Sequence, residues 1–139
     1  MIELIQTLEV TVPVGQSITF DNTVVKSGCA EYHRDGSAVV RLLKPGRYLV
    51  TFSGNVAVPT GETVGEVALA LTADGGTLAG AVMRATPAAV EEFFNVSTQH
   101  YIDIPVCCGS VGVANVAVEN IGDIPVLVDN ANITAVRVC

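Results

Sequence analysis

The chain has 139 residues, 50% of them hydrophobic and 15% charged, where an average soluble domain carries about 25% charged residues. That length suits one domain burying about two-thirds of its unfolded-chain surface, and so few charges leave part of the remaining surface to be covered by copies of itself. Fourteen acidic against seven basic side chains give a net charge of −7, which excludes a nucleic-acid partner, and no apolar run approaches the ~18 residues of a membrane span.

Residues 2–12 alternate, with Ile2, Leu4, Leu8, Val10 and Val12 on one face and Ile5 and Gln6 as exceptions, and Pro13 and Gly15 end this strand. A second strand is expected from Ser17 to Val25 with Ile18 and Phe20 facing inward, and a short third from Cys29 to His33. Arg34-Asp35-Gly36-Ser37 is a hairpin signal, because Asp-Gly tolerates the positive φ of tight turns. After Ala38 to Leu43, the Pro45-Gly46 turn feeds a strand in which Tyr48, Val50 and Phe52 share one face and mark the centre of the core.

Pro59-Thr60-Gly61-Glu62 is another turn. Val64 to Ala73 then place Val67, Leu69 and Leu71 inward and Glu66, Ala68, Ala70 and Thr72 outward, and Asp74-Gly75-Gly76 leads through a hairpin into Thr77 to Arg84. Residues 85–97 do not read as strand; Thr86-Pro87 predicts a helical turn through Ala88 to Phe94 inside a long loop. Ser97 to Val106 resumes a strand with His100, Ile102, Ile104 and Val106 on one face, and Cys107-Cys108-Gly109-Ser110 turns it. Val111 to Glu119 follows, then a turn at Asn120-Ile121-Gly122-Asp123 and a closing strand from Ile124 to Val138 that changes face near residues 129–132, as a β-bulge makes it. Nine or ten short strands with almost no helix predict an all-β sandwich or barrel, a single domain over residues 1–139.

Phe20-Asp21-Asn22, Asp35-Gly36-Ser37 and Pro45-Gly46-Arg47-Tyr48-Leu49-Val50-Thr51-Phe52 resemble the jelly-roll superfamily of tumour necrosis factor and the complement globular head. There a "D-x-G" turn leads through a strand to "P-G-x-Y-x-V/F-x-F", the central strand of the inner sheet. The Gly-rich hairpin at 74–76 and the "V-x-V-x-N" strand Val116-Ala117-Val118-Glu119-Asn120 fit the same family. The resemblance implies a jelly-roll β-sandwich of about ten antiparallel strands and a homotrimer packed round an apolar three-fold axis. The chain departs from the family in lacking a collagen-like stalk and any acidic cluster matching the family's calcium sites.

The chemistry-bearing residues do not form a catalytic constellation. A cupin-type metal site needs two close His, a Glu and a distant His; this chain has only His33 and His100 and no H-x-H. His100 reads as a core or interface histidine, and His33, between Glu31 and Asp35, as part of a charged hairpin tip rather than a weak metal site. No Gly-x-Ser-x-Gly elbow precedes a helix, and Gly109-Ser110-Val111-Gly112 lacks the Lys of a phosphate loop. Cys29, Cys107, Cys108 and Cys139 make no zinc pattern; vicinal Cys107-Cys108 read as small buried residues, and Cys139 is a candidate cross-link between subunits. Arg34, Arg41, Lys44 and Arg47 cluster in sequence and read as a solvated rim rather than a patch for an acidic partner. The N-terminal stretch has no basic n-region or continuous apolar segment, so no signal peptide is expected and the cysteines start as thiols.

The sequence thus predicts a non-enzymatic structural protein with no catalytic, cofactor or metal residues. Its partners are itself, as a homotrimer, and the major capsid or other virion proteins, with neither nucleic acid nor membrane among them. The leading expectation is a bacteriophage capsid decoration or auxiliary virion protein assembled in the host cytoplasm. The alternatives are a trimeric module of a bacterial cell or spore surface and a carbohydrate-binding lectin. Charge on the axis-facing sheet is expected to break the assembly, with Val116→Asp as the trial substitution on a strand whose axis-facing side the sequence leaves open.

Overall fold

A computed structural model describes residues 1–107, 110–111 and 114–139. In chain order the strands are β1 (Ile2–Gln6), β2 (Val10–Val12), β3 (Asn22–Lys26), β4 (Glu31–His33), β5 (Val40–Leu42), β6 (Gly46–Ala57) and β7 (Val67–Ala73). They continue as β8 (Gly76–Ala85), β9 (Phe94–Ile104), β10 (Val106–Cys107), β11 (Ser110–Val111), β12 (Ala114–Asn120) and β13 (Val126–Arg137). The first sheet has the order β3-β1-β13-β6-β9, with β2 also paired to β13; the second runs β4-β5-β12-β7-β8, and β10 pairs with β11. All ladders are antiparallel, and the two sheets form the jelly-roll sandwich expected from the sequence.

The expected central strand is β6. Its inward positions Tyr48, Val50 and Phe52 are buried, as are Leu69 and Leu71 of β7 and Val116 and Val118 of β12 in the other sheet. The Tyr48 hydroxyl lies at the end of the core and donates to the Lys44 carbonyl at 2.7 Å, so burial leaves it with a partner. The preceding Pro45-Gly46 has a backbone reason: Gly46 sits at φ 140°, and a Cβ there would fall 2.5 Å from the Cys139 carbonyl oxygen and 2.6 Å from Arg137 Nε.

The β7–β8 hairpin turns on Asp74 (φ 53°) and Gly75 (φ 84°), with Ala73 opposite Gly76; two positive φ values in a two-residue loop are the turn that matches strand twist. The bulge expected in the last strand lies between Asp129 and Asn132 against β6, with Asn130 at φ 49°.

Four expectations need correction. Residues 2–12 form two strands, because the chain leaves the ladder at residues 7–9 and Leu8 is 69% exposed. Gln6 takes the inward place, its amide donating to the Thr19 carbonyl and to Asp21 Oδ2 at 3.0 Å. The second strand is only Asn22–Lys26; Ile18 and Phe20 are fully buried, but from backbone outside the strand, where Ile18 N–H donates to the Val118 carbonyl. The helical turn at 88–94 is absent: Val90–Glu91 make a turn, Glu91 stands at φ 57° and donates its N–H to the Val58 carbonyl. Pairing with β6 captures the chain from Phe94 onward, and one isolated helical turn has too few hydrogen bonds to compete with that ladder. Finally, Ala68, Ala70 and Thr72 point away from the core yet are buried, with Gly122 packed against Ala68 and the Thr72 hydroxyl donating to the Ala117 carbonyl.

Candidate interaction surface

The residues singled out for chemistry are used for structure. His33 is buried rather than at an exposed hairpin tip; Nε2 donates to the Ser37 carbonyl at 2.8 Å, and Nδ1 faces the Thr23 hydroxyl at 3.4 Å and the Asp35 carboxylate at 3.7 Å. The Glu31 carboxylate is also buried and meets the Met1 ammonium at 2.9 Å. His100 is half-buried at the opposite edge of the sandwich, where Nε2 lies 3.0 Å from the Ala79 carbonyl and so joins β9 of one sheet to β8 of the other. Among the described residues no group of three or more His, Cys, Asp and Glu is placed to hold a metal ion.

Cys29 and Cys139 are exposed thiols. The pair Cys107-Cys108 falls outside the residues whose side chains are described. The basic run of the sequence is divided by the fold: Arg41 lies on β5 of the second sheet, while Arg47 lies on β6 of the first and pairs with Asp103 at 2.7 Å. That hydrogen bond and the opposite charge raise the Arg47 pKa and hold the Asp103 carboxyl below its ordinary value.

Val116 is fully buried in the core between the sheets, which corrects its expected place on an axis-facing surface. The outer face of the first sheet is a candidate surface for meeting another molecule. Strand alternation directs Leu49, Thr51, Ser53 and Asn55 of β6 outward, and the register sets Tyr101, Gln99, Ser97 and Asn95 of β9 opposite them. On the other side, Val136, Thr134 and Asn132 of β13 face Leu49, Thr51 and Ser53. None of these side chains is charged, and the one carboxylate that the register adds is Asp129 of β13, opposite Asn55 at the far end of the face. Tyr101, Leu49 and Val136 make an apolar half, with Tyr101 59% exposed; the rest is a ladder of hydroxyls and amides in which Asn95 Nδ2 donates to Asn55 Oδ1 at 3.2 Å. The Arg47–Asp103 pair bounds this face at one end, and Glu3, accepting from Asn132 Nδ2 at 2.8 Å, bounds it beside β1.

With the sheet order and this face in place, the solved structures settle the architecture. The globular domain of zebrafish complement 1qA superposes with a TM-score of 0.69 at 13% identity, covering 99% of this chain and 96% of that one. The fold is that of the complement-head and tumour-necrosis-factor jelly rolls. PRD1 vertex protein P5 shares it at a TM-score of 0.57 and 18% identity, over 99% of this chain and 96% of its own. Murine APRIL does so at 0.51 and 11%, over 96% of this chain and 98% of its own. No protein-family model and no curated protein matches the sequence.

Sequence reasoning missed the uncharged face, because its members are spread over three strands that are distant in the chain. The signal lay in the alternate positions of 49–55 and 95–101, where Leu, Thr, Ser, Asn, Gln and Tyr replace the charged residues usual on a solvated strand face. It also missed Asn120, buried at the end of β12, whose Nδ2 donates at 3.0 Å to the carbonyls of Val12 and of Ile124 while Oδ1 accepts the Gly122 N–H.

Proposed function

We propose that this chain is a non-enzymatic structural module that forms a homotrimer through the outer face of its first sheet and serves as a bacteriophage capsid decoration or auxiliary virion protein. The observation that carries the reading is the face of β6, β9 and β13, uncharged from Leu49 to Ser53 and across to Val136 and Tyr101, with Asp129 only at its far end. On a rotation axis each side chain meets copies of itself, so a charge meets its like. Ser, Thr, Asn and Gln carry donors and acceptors together, and Leu, Val and Tyr bury well, so this face satisfies itself. The resemblance to a trimeric superfamily agrees with that, although the axis is half hydroxyl and amide rather than apolar throughout. The shared fold with a vertex protein supports the virion role.

Two experiments test the proposal. Tyr101→Asp leaves the core untouched and is expected to turn the trimer into a folded monomer; a trimer that persists contradicts the assigned face. Mass spectrometry of purified virus particles from the source of the gene is expected to find the chain on them. Its recovery from the cell or spore surface instead would favour the second structural role and overturn the virion one.

A further inference from the structure

The two ends of the sandwich differ in charge. At one end β6 and β8 finish and β9 and β13 begin: Val56 is paired with Phe94, Ala57 with Leu127, and Val67 with Ala85. The connecting segments 13–17, 59–66, 85–95 and 120–125 meet there, through Gly15 N–H on the Asn120 carbonyl, Glu91 N–H on the Val58 carbonyl and Gly65 3.8 Å from Ile124 Cδ1. These four segments contain no Lys or Arg. They carry Glu62, Glu91, Glu92 and Asp123, together with Glu66, which alone of these has an ion-pair partner among the described residues, Arg84 at 2.7 Å. Val64, Phe93 and Phe94 stand exposed among them.

At the opposite end the chain termini, β3, the start of β6 and the end of β13 come together. Met1 bonds the Ser27 carbonyl, Arg47 N–H the Cys139 carbonyl, and Arg137 Nη2 the Pro45 carbonyl at 2.6 Å. Lys26, Lys44, Arg47 and Arg137 project here, four of the seven basic residues of the chain. Of the carboxylates nearby, Glu31 is buried against the Met1 ammonium, Asp103 is held by Arg47, and Asp74 accepts the Asn115 N–H.

We infer that these ends dock on one another, the acidic, aromatic-tipped end of one copy on the basic end of the next. The occupant is a second copy of this chain because both complementary surfaces belong to one molecule and point in opposite directions along the strands. Such a contact is heterologous and does not close on itself, so it builds an open stack. Carboxylates facing lysines and arginines supply register and steering, and Phe93, Phe94 and Val64 supply apolar burial. The stack is independent of the trimer: in trimers three such contacts act together and strengthen one another, and in monomers one acts alone.

The test is the weight-average mass across a concentration series, at about 0.02 M salt and at about 0.5 M salt, where screening shortens the reach of exposed charges to a few Å. At low salt the mass is expected to rise at least tenfold without a plateau, and at high salt to fall back to the basic unit, monomer or trimer. The double variant Glu62→Lys/Glu91→Lys stays at that unit under both conditions, and so does Lys44→Glu/Arg137→Glu; all four positions are exposed, and unchanged melting confirms folding. Mixing the two variants restores growth, because each then offers the other a complementary end. A mass that never exceeds the basic unit, growth indifferent to salt or to the substitutions, or a mixture that fails to grow would each overturn the inference.

Discussion

At the scale of single residues, Asn120 shows how one amide holds the end of the sandwich. It satisfies the carbonyls of Val12 and of Ile124 and the N–H of Gly122, and so ties the turn after β12 to β2 in the other sheet. Asn120→Ala leaves these buried backbone groups unpaired, and we expect a loss of about 3 kcal/mol in urea unfolding, with a loss below about 1 kcal/mol contradicting the role. Tyr48 makes a prediction with a sign. Burial, helped by the Glu31 charge, pushes its hydroxyl above the ordinary phenol value. A raised folded-state value means that the stabilisation is complete below the unfolded value near ~10 and is lost as pH rises through the folded one. Tyr48→Phe keeps the ring and removes the titrating group, so the loss of melting temperature between about pH 9 and about pH 12 should be shallower than in the parent; parallel curves would contradict it.

At the scale of elements, the β7–β8 hairpin depends on a left-handed pair of residues. Gly75→Val puts a β-branched side chain at φ 84° and should destabilise by about 1–2 kcal/mol, whereas Gly65→Ala, with no positive φ and its nearest neighbour 3.8 Å away, should change little. Equal effects in thermal unfolding would contradict the turn assignment. This hairpin, the bulge at Asp129–Asn132 and the inward face of β6 were all legible in the sequence, because each is set by local turn chemistry or a period of two. The break at residues 7–9, the burial of His33 and the turn at Val90–Glu91 in place of a helical turn were not. Each is decided by a partner distant in the chain: the Thr19 and Asp21 oxygens for Gln6, Thr23 and Ser37 for His33, and Val56 and Val58 for residues 91–94. The candidate surface was hidden for the same reason, since only the register of β6 with β9 and β13 reveals that its uncharged positions adjoin.

At the scale of the whole molecule, the shortage of charge noted in the sequence acquires a location. It lies over one sheet face, while Lys26, Lys44, Arg47 and Arg137 gather at one end of the sandwich and Glu62, Glu91, Glu92 and Asp123 at the other. The fold therefore separates two substitutions that look alike in sequence. Val116→Asp buries an unpaired carboxylate between the sheets and should cost about 3–5 kcal/mol, unfolding the protomer, while Tyr101→Asp should leave the protomer folded and remove only its association. Far-ultraviolet circular dichroism of both variants distinguishes them, and a folded Val116→Asp would contradict the placement of that side chain. The most direct test of the central claim is the molar mass of the purified protein by light scattering in about 0.5 M salt, where end-to-end contacts are screened. The expected mass is three times 14.4 kDa, held down to the lowest measurable concentration. A mass of 14.4 kDa at every concentration would contradict it, because the charge-poor face of β6, β9 and β13 would then be left without a partner.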